Sequence, residues 1–298
     1  MLLKDFIADG TARLRASYPE EEAHRIVLML CSSVLGVQRY THLIEPQTPV
    51  PAAKEPVLQE AMERLCAGEP VQYVTGWERF CERDFRVTPD VLIPRPETEC
   101  LVREALEAAR ALQRLRIPYG HSDEPLRILD LCTGSGCIAW TMALSLPGAL
   151  VTGVDVSEPA LSVAREQDFS KEMRKTGARA PKFLPLDVLD PSASLPDPPY
   201  DLILSNPPYI PLAQKSQMRP NVTEHEPALA LFVPDADPLL FYRAIAGLSR
   251  RFLAPWGRGF AEIHEDLGPE TCSLFCKSGF EKACLIKDFY GKNRFVAY

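Results

Sequence analysis

From Arg127 onward, short apolar runs of strand length alternate with longer segments of helical period, and a chain built this way has few folds open to it. Strands separated by helices pair in parallel through right-handed crossovers, so that helices cover both faces of one sheet. The pattern predicts strands at 127–131, 150–155, 182–186, 201–205 and 258–264, and helices at 136–146, 159–176, 238–253 and 268–278. Two last strands are expected near 282–287 and 293–297. The expected fold class is therefore α/β, a doubly wound parallel sheet that binds its ligand at the carboxyl ends of the strands.

Before that region the periodicity is helical. Leu3, Phe6, Ile7 and Leu14, then Ala23, Ile26, Val27 and Leu30, recur at the spacing of one helix face. Pro19 is placed to open a second helix and Gly36 to close it, and a third is expected near 57–67 after a proline-rich connection. Residues 72–93 turn aromatic and β-branched, broken by Gly76, Thr88 and Pro89, which reads as a hairpin joining two domains. The run Pro94-Arg-Pro-Glu-Thr-Glu99 suits the entrance of a helix over 101–115, followed by a polar loop at 116–125. The plan is a small helical domain (1–70), a hairpin linker (71–95) and the α/β domain (96–298).

The charge balance narrows the partners. Lys and Arg number 33 against 40 Asp and Glu, a net charge of −7, which argues against general binding to nucleic acid or an anionic membrane. The first 78 residues hold seven bases and eleven acids, no platform for a polyanion. Ile26–Cys31 is the most apolar short run, far below the ~20 residues of a membrane span, and MLLKDFIADG has no basic start before an apolar stretch. A cytoplasmic protein is expected. Nine scattered cysteines without a Cys-x-x-Cys pair fit reduced thiols, and no histidine or closely spaced pair completes a metal site around Cys272 and Cys276.

Three strand ends carry the chemistry. The first runs Ile128-Leu-Asp130-Leu-Cys-Thr133-Gly134-Ser-Gly136-Cys-Ile-Ala139, a strand entering a glycine turn and a helix whose free N–H groups face a ligand. Alone it fits nicotinamide dinucleotides and S-adenosylmethionine equally. The second strand ends at Asp155, 19 positions after Gly136, where a ribose presents its hydroxyls. The third ends at Asp187, placed either to accept from the exocyclic amine of adenine or to begin a turn before Pro191.

The strand Asp201-Leu-Ile-Leu-Ser205 then ends in Asn206-Pro207-Pro208-Tyr209. An amide or ring amine is a poor nucleophile, and holding its two N–H groups on two acceptors turns its lone pair toward an electrophile. The Asn206 side-chain oxygen and the Pro207 carbonyl are those acceptors. Prolines stiffen the turn, and Tyr209 offers a flat ring for a planar group.

Together these motifs resemble the class I S-adenosylmethionine-dependent methyltransferases that modify planar amino groups. More narrowly, the chain resembles the protein-(glutamine-N5) methyltransferases acting on peptide-chain release factors, through Gly68-Glu-Pro-Val-Gln-Tyr-Val-Thr-Gly76, Leu92-Ile-Pro-Arg95-Pro-Glu97-Thr-Glu99, Glu226-Pro227 and Asn293-Arg294. The resemblance implies a Rossmann-like catalytic domain with a small N-terminal helical domain, and because every candidate chemical residue lies after position 90 that helical domain is expected to select the protein substrate. It implies S-adenosylmethionine as cofactor, held by Asp130, Thr133, Gly134, Gly136, Asp155, Asp187 and Asn206. It further implies a catalytic Asn206, Pro207 and Tyr209, with Pro208, Arg95 and Glu97 meeting the glutamine substrate. Relatives acting on a ribosomal protein share Asn-Pro-Pro-Tyr but usually lack the Arg-Pro-Glu-Thr run. A nucleic-acid amino methyltransferase and a non-catalytic dinucleotide-binding protein are the other readings the motifs leave open. The family commonly has glycine where Cys132 stands, so a positive φ there would strain the turn.

Overall fold

The computed structural model describes residues 1–121 and 124–298, and part of the loop expected at 116–125 lies outside them. The backbone forms two compact units, Met1–Trp77 with Met218–His225, and Glu78–Gln217 with Glu226–Tyr298.

The first unit is helical: α1 (Leu3–Leu14), α2 (Glu20–Leu35), the short α3 (Thr41–Ile44), α4 (Glu55–Cys66) and α5 (Val71–Thr75). The periodic positions of the sequence are its core, with Phe6, Ile7 and Leu14 meeting Val27, Leu30, Leu58 and Met62. Pro19 is the N-cap of α2, and Gly36 closes it in the left-handed conformation. Helix α5 occupies part of the segment read as a hairpin. Its β-branched residues favour a strand, yet Pro70 and Gly76 bracket a single turn and Val71 and Tyr73 are buried, so packing overrides propensity.

Apart from Trp77, the hairpin of β1 (Trp77–Phe80) and β2 (Arg83–Arg86) belongs to the second unit, and α6 (Pro96–Leu115) follows it. Phe80 and Phe85 lie in one core with Leu101 and Ala105 of α6, so the hairpin is part of the α/β body. Then come β3 (Arg127–Leu131), α7 (Cys137–Ser145), β4 (Leu150–Asp155), α8 (Glu158–Arg165), α9 (Ser170–Thr176), β5 (Lys182–Pro185) and β6 (Tyr200–Ser205). The one helix expected over 159–176 is two. Gln167 is buried between them, accepts from the Arg86 amide and donates to the Arg86 and Ser135 carbonyls, bonds that turn the chain out of α8.

After β6 the chain makes β7 (Ile210–Pro211), passes through the first unit as α10 (Pro220–Thr223), and returns as α11 (Ala228–Leu231) and β8 (Phe232–Val233), which pairs with β7. It finishes with α12 (Leu240–Phe252), β9 (Leu253–Glu262), α13 (Gly268–Lys277), β10 (Cys284–Lys287) and β11 (Asn293–Ala297).

The sheet has seven strands in the order β10-β11-β9-β6-β3-β4-β5. It is mixed rather than wholly parallel: β9, β6, β3, β4 and β5 are parallel, while β11 runs antiparallel to β9 and β10 antiparallel to β11. The link from β10 to β11 is too short to hold a crossover, which forces the antiparallel pairing. From β3 the chain winds outward to β4 and β5 and then crosses back to β6 on the other side. The carboxyl ends of β3 and β6 therefore flank the point where the winding reverses, the place where such sheets bind ligands.

Candidate active site

A cavity of about 1130 Å³, including the solvent at its mouth, opens over that point. Thr133, Gly134, Asp155, Asp187, Asn206 and Pro208 line it, so four separate loops of the sequence converge there. Asp130, Gly136, Pro207, Tyr209, Arg95 and Glu97 are not among the residues that line it.

Asp130 is fully buried at the end of β3. Its Oδ2 accepts from the Thr133 hydroxyl at 2.5 Å and from the Ala139 amide in the first turn of α7 at 3.2 Å, so it braces the turn. Its Oδ1 has no hydrogen-bond partner among the described residues, and burial pushes the carboxyl up to about 7. Gly136 is required by packing: at φ +77°, a Cβ there would meet Ala164 and Phe183 at 3.0 Å. Gly134, at φ +52°, faces open space and donates its amide to Asp155 Oδ2 at 2.9 Å. Cys132 adopts φ +59°, the strained conformation that glycine would relieve.

Asp155 is tied into the turn it faces. Its Oδ1 accepts from the Ser157 amide at 2.9 Å, while Ser157 itself caps α8 through the Ala160 amide. Burial raises its carboxyl above the usual range, against the pull of those backbone bonds. Asp187 both begins a turn, accepting from the Leu189 amide at 2.8 Å, and borders the cavity. Leu186, Val188 and Ile138 add apolar surface to the same lining. A nucleoside fits this lining, which combines carboxylate acceptors for hydroxyl and amine groups with apolar surface for a base.

The other wall belongs to Asn206 and its supports. Asn206 Nδ2 lies 3.3 Å from the Thr98 hydroxyl, which donates to Glu262 Oε2 at 2.7 Å. Glu262 Oε1 accepts from the Tyr209 hydroxyl at 2.9 Å. Burial first, and the charge of Glu262 next, hold the Tyr209 phenol well above its ordinary value, so it stays a donor. Burial likewise raises Glu262, opposed by its bonds from Thr98 and Tyr209 and by the charge of Arg294. The Arg-Pro-Glu-Thr-Glu run divides its work: Arg95 pairs with Glu226, Thr98 meets Asn206, and Glu99 accepts from the Cys81 amide.

Sequence reasoning had singled out the Arg95 to Glu99 run without giving Thr98 a role, and it missed Glu262 altogether. An acid ending an apolar strand is the signal that exposed Asp155 and Asp187, and Phe260-Ala-Glu262 carries it too. Among the described residues, no group of three or more His, Cys, Asp or Glu side chains is arranged to hold a metal, and no helix is long and apolar enough to cross a membrane.

The family model of the PrmC N-terminal domain matches residues 5–76, and that of the methyltransferase small domain matches 118–225. A release factor glutamine methyltransferase of Bacteroides thetaiotaomicron is 37% identical over 96% of this chain and 97% of its own. One from Geobacter sulfurreducens is 33% identical over 97% and 94%. Among solved structures, a methyltransferase from Pyrococcus furiosus is 14% identical, covers 80% of this chain and 97% of its own, and superposes with a TM-score of 0.46. With relatives this similar along nearly their whole length, the chain belongs to the release factor glutamine methyltransferase family.

Proposed function

We propose that this protein methylates the side-chain amide nitrogen (N5) of the glutamine in the Gly-Gly-Gln loop of a peptide-chain release factor, using S-adenosylmethionine. The observation that carries the reading is the convergence of Asn206 with Gly134, Asp155 and Asp187 on one cavity. Asp155 and Asp187 would hold the nucleoside, and the Gly134 turn would hold the amino-acid part. When bound, the cofactor supplies a methyl group on a sulfonium whose departure leaves a neutral thioether. The chain's own residues orient the acceptor: Asn206 Oδ1 and the Pro207 carbonyl take the two N–H groups of the glutamine amide, turning its lone pair toward the methyl, and the nitrogen gives up one of its two protons to solvent as it gains the methyl.

Arg95 acts in this reading by holding the loop through Glu226 rather than by touching substrate. The helical unit selects the release factor, because every candidate chemical residue lies after position 90 while that unit has a core of its own. The partner is a protein of the translation machinery, so the reading places the enzyme in the cytoplasm. Transfer of a tritiated methyl to release factor, RNA and DNA tests it: label must appear on release factor glutamine alone. Label on nucleic acid, or binding of NAD in preference to S-adenosylmethionine in calorimetry, overturns it.

A further inference from the structure

An asparagine side chain has two ends of the same shape and opposite polarity, and only the oxygen end can accept from a substrate amide. Something must therefore decide which end of Asn206 faces the cavity. The bonds behind it do so. Glu262 is 1% exposed at the end of β9, and register places it beside Asn206, since Ser205 pairs with Ala261 in the parallel ladder of β6 and β9. An ionised carboxylate only accepts, and a threonine hydroxyl has one proton. At 2.7 Å from Glu262 Oε2, Thr98 spends that proton on the carboxylate. Its oxygen then meets Asn206 with lone pairs alone, so the group 3.3 Å away is the Asn206 NH₂. The amide oxygen is left on the other branch.

We propose that Glu262 and Thr98 are positioning residues that set the polarity of the catalytic amide, with Glu262 passing its acceptor character through Thr98 so that Asn206 presents Oδ1 to the substrate. The same carboxylate fixes the far end of the turn, because its second oxygen takes the Tyr209 hydroxyl at 2.9 Å. Arg294, held by Asp288 at 3.1 Å and by Glu265 at 3.4 Å, provides the positive charge that favours the ionised form. Neutralising Glu262 breaks the logic without changing its shape. In Glu262→Gln an amide NH₂ can donate to Thr98, whose proton is then free to draw the oxygen of Asn206 toward it, leaving the NH₂ end to repel the N–H groups of the glutamine.

The inference rests on the methyl-transfer reading, so the test carries one readout that needs no turnover. In full-length ¹⁵N-labelled protein, the side-chain NH₂ signal of Asn206, assigned by its loss in Asn206→Ala, should move in Thr98→Val and in Glu262→Gln and stay in place in Thr98→Ser. In release factor methylation, Thr98→Val and Glu262→Gln should each lower kcat by roughly 10²-fold, the scale of a mispositioned reacting group, with KM for release factor and cofactor affinity within about threefold of wild type. Thr98→Ser should recover turnover to within about threefold of wild type. Calorimetry with S-adenosylmethionine and a thermal melt identify a variant that has failed to fold, and each position is then judged by its second variant or by the other residue. An Asn206 signal indifferent to both substitutions, or variants whose KM and cofactor affinity fall in step with kcat, overturns the relay. A wild-type enzyme inactive on release factor overturns the proposed reaction instead, while the NH₂ signal still decides the direction of the hydrogen bond.

Discussion

Arg95 reaches across 131 positions of sequence to Glu226, with its Nη2 2.5 Å from Oε1, and the other oxygen of Glu226 accepts from the Ile93 amide at 3.2 Å. The pair joins the segment entering α6 to the one entering α11, and both segments wall the cavity, through Pro94 and Thr98 on one side and Pro227 and Ala230 on the other. The Glu226 side chain is 1% exposed and that of Arg95 33%. Removing the arginine strands a buried carboxylate on one backbone donor. Arg95→Ala should therefore lower stability by about 2 kcal/mol, less than a fully buried pair would because the guanidinium is partly hydrated. Glu226→Gln, which leaves no charge to strand, should lose about half as much. Urea midpoints would decide, and equal stability of Arg95→Ala and wild type would show that the pair is slack.

In the proposed reaction Asn206→Ala removes the acceptor assigned to the glutamine amide, while Asp155 and Asp187, which line the same cavity, stay in place. Turnover on release factor should fall by at least about 10²-fold, with S-adenosylmethionine binding changed by less than about threefold. Calorimetry beside single-turnover assays separates the two. A parallel loss of cofactor affinity would make Asn206 a cofactor residue.

The raised carboxyl of Asp130 gives stability a pH dependence of fixed sign. In the unfolded chain this group titrates near 3.8, in the folded protein at about 7. Between those values the folded state keeps a proton that the unfolded state has lost, so the Asp130 contribution is whole below pH 3.8 and fades as pH rises through 7. Asp130→Asn imitates the protonated acid, keeping an oxygen for Thr133 and Ala139 while placing an NH₂ at the unpartnered position. The difference in stability between Asp130→Asn and wild type should thus grow in the variant's favour from pH 4 to pH 8. Denaturant titrations across that range check it, and a constant difference would rule the effect out.

Cys132 tests how much strain the glycine turn stores. Alanine and glycine both delete the thiol, so comparing them isolates the cost of φ +59°. Cys132→Gly should be more stable than Cys132→Ala by about 1 kcal/mol, the left-handed penalty of a Cβ reduced by glycine's freedom in the unfolded chain. Thermal unfolding of the pair would show it. If alanine proves the more stable, the turn relaxes away from that conformation.

Local patterns determined what local physics controls. Helical periodicity marked the residues of the first core, Pro19 and Gly36 bounded α2, and strand ends pointed to Gly134, Asp155, Asp187 and Asn206, because caps, turns and amphipathic faces are set by neighbours within a few residues. Tertiary structure alone decided the rest. Whether α5 forms, where α8 stops and how β11 pairs depend on burial and on partners distant in sequence. The same holds inside the site: Thr98 and Glu262 meet across 164 positions, and no spacing rule reports that contact. A sequence shows which residues can accept or donate a proton, but the direction of each hydrogen bond follows from which groups the fold brings within 3 Å and how many protons they share.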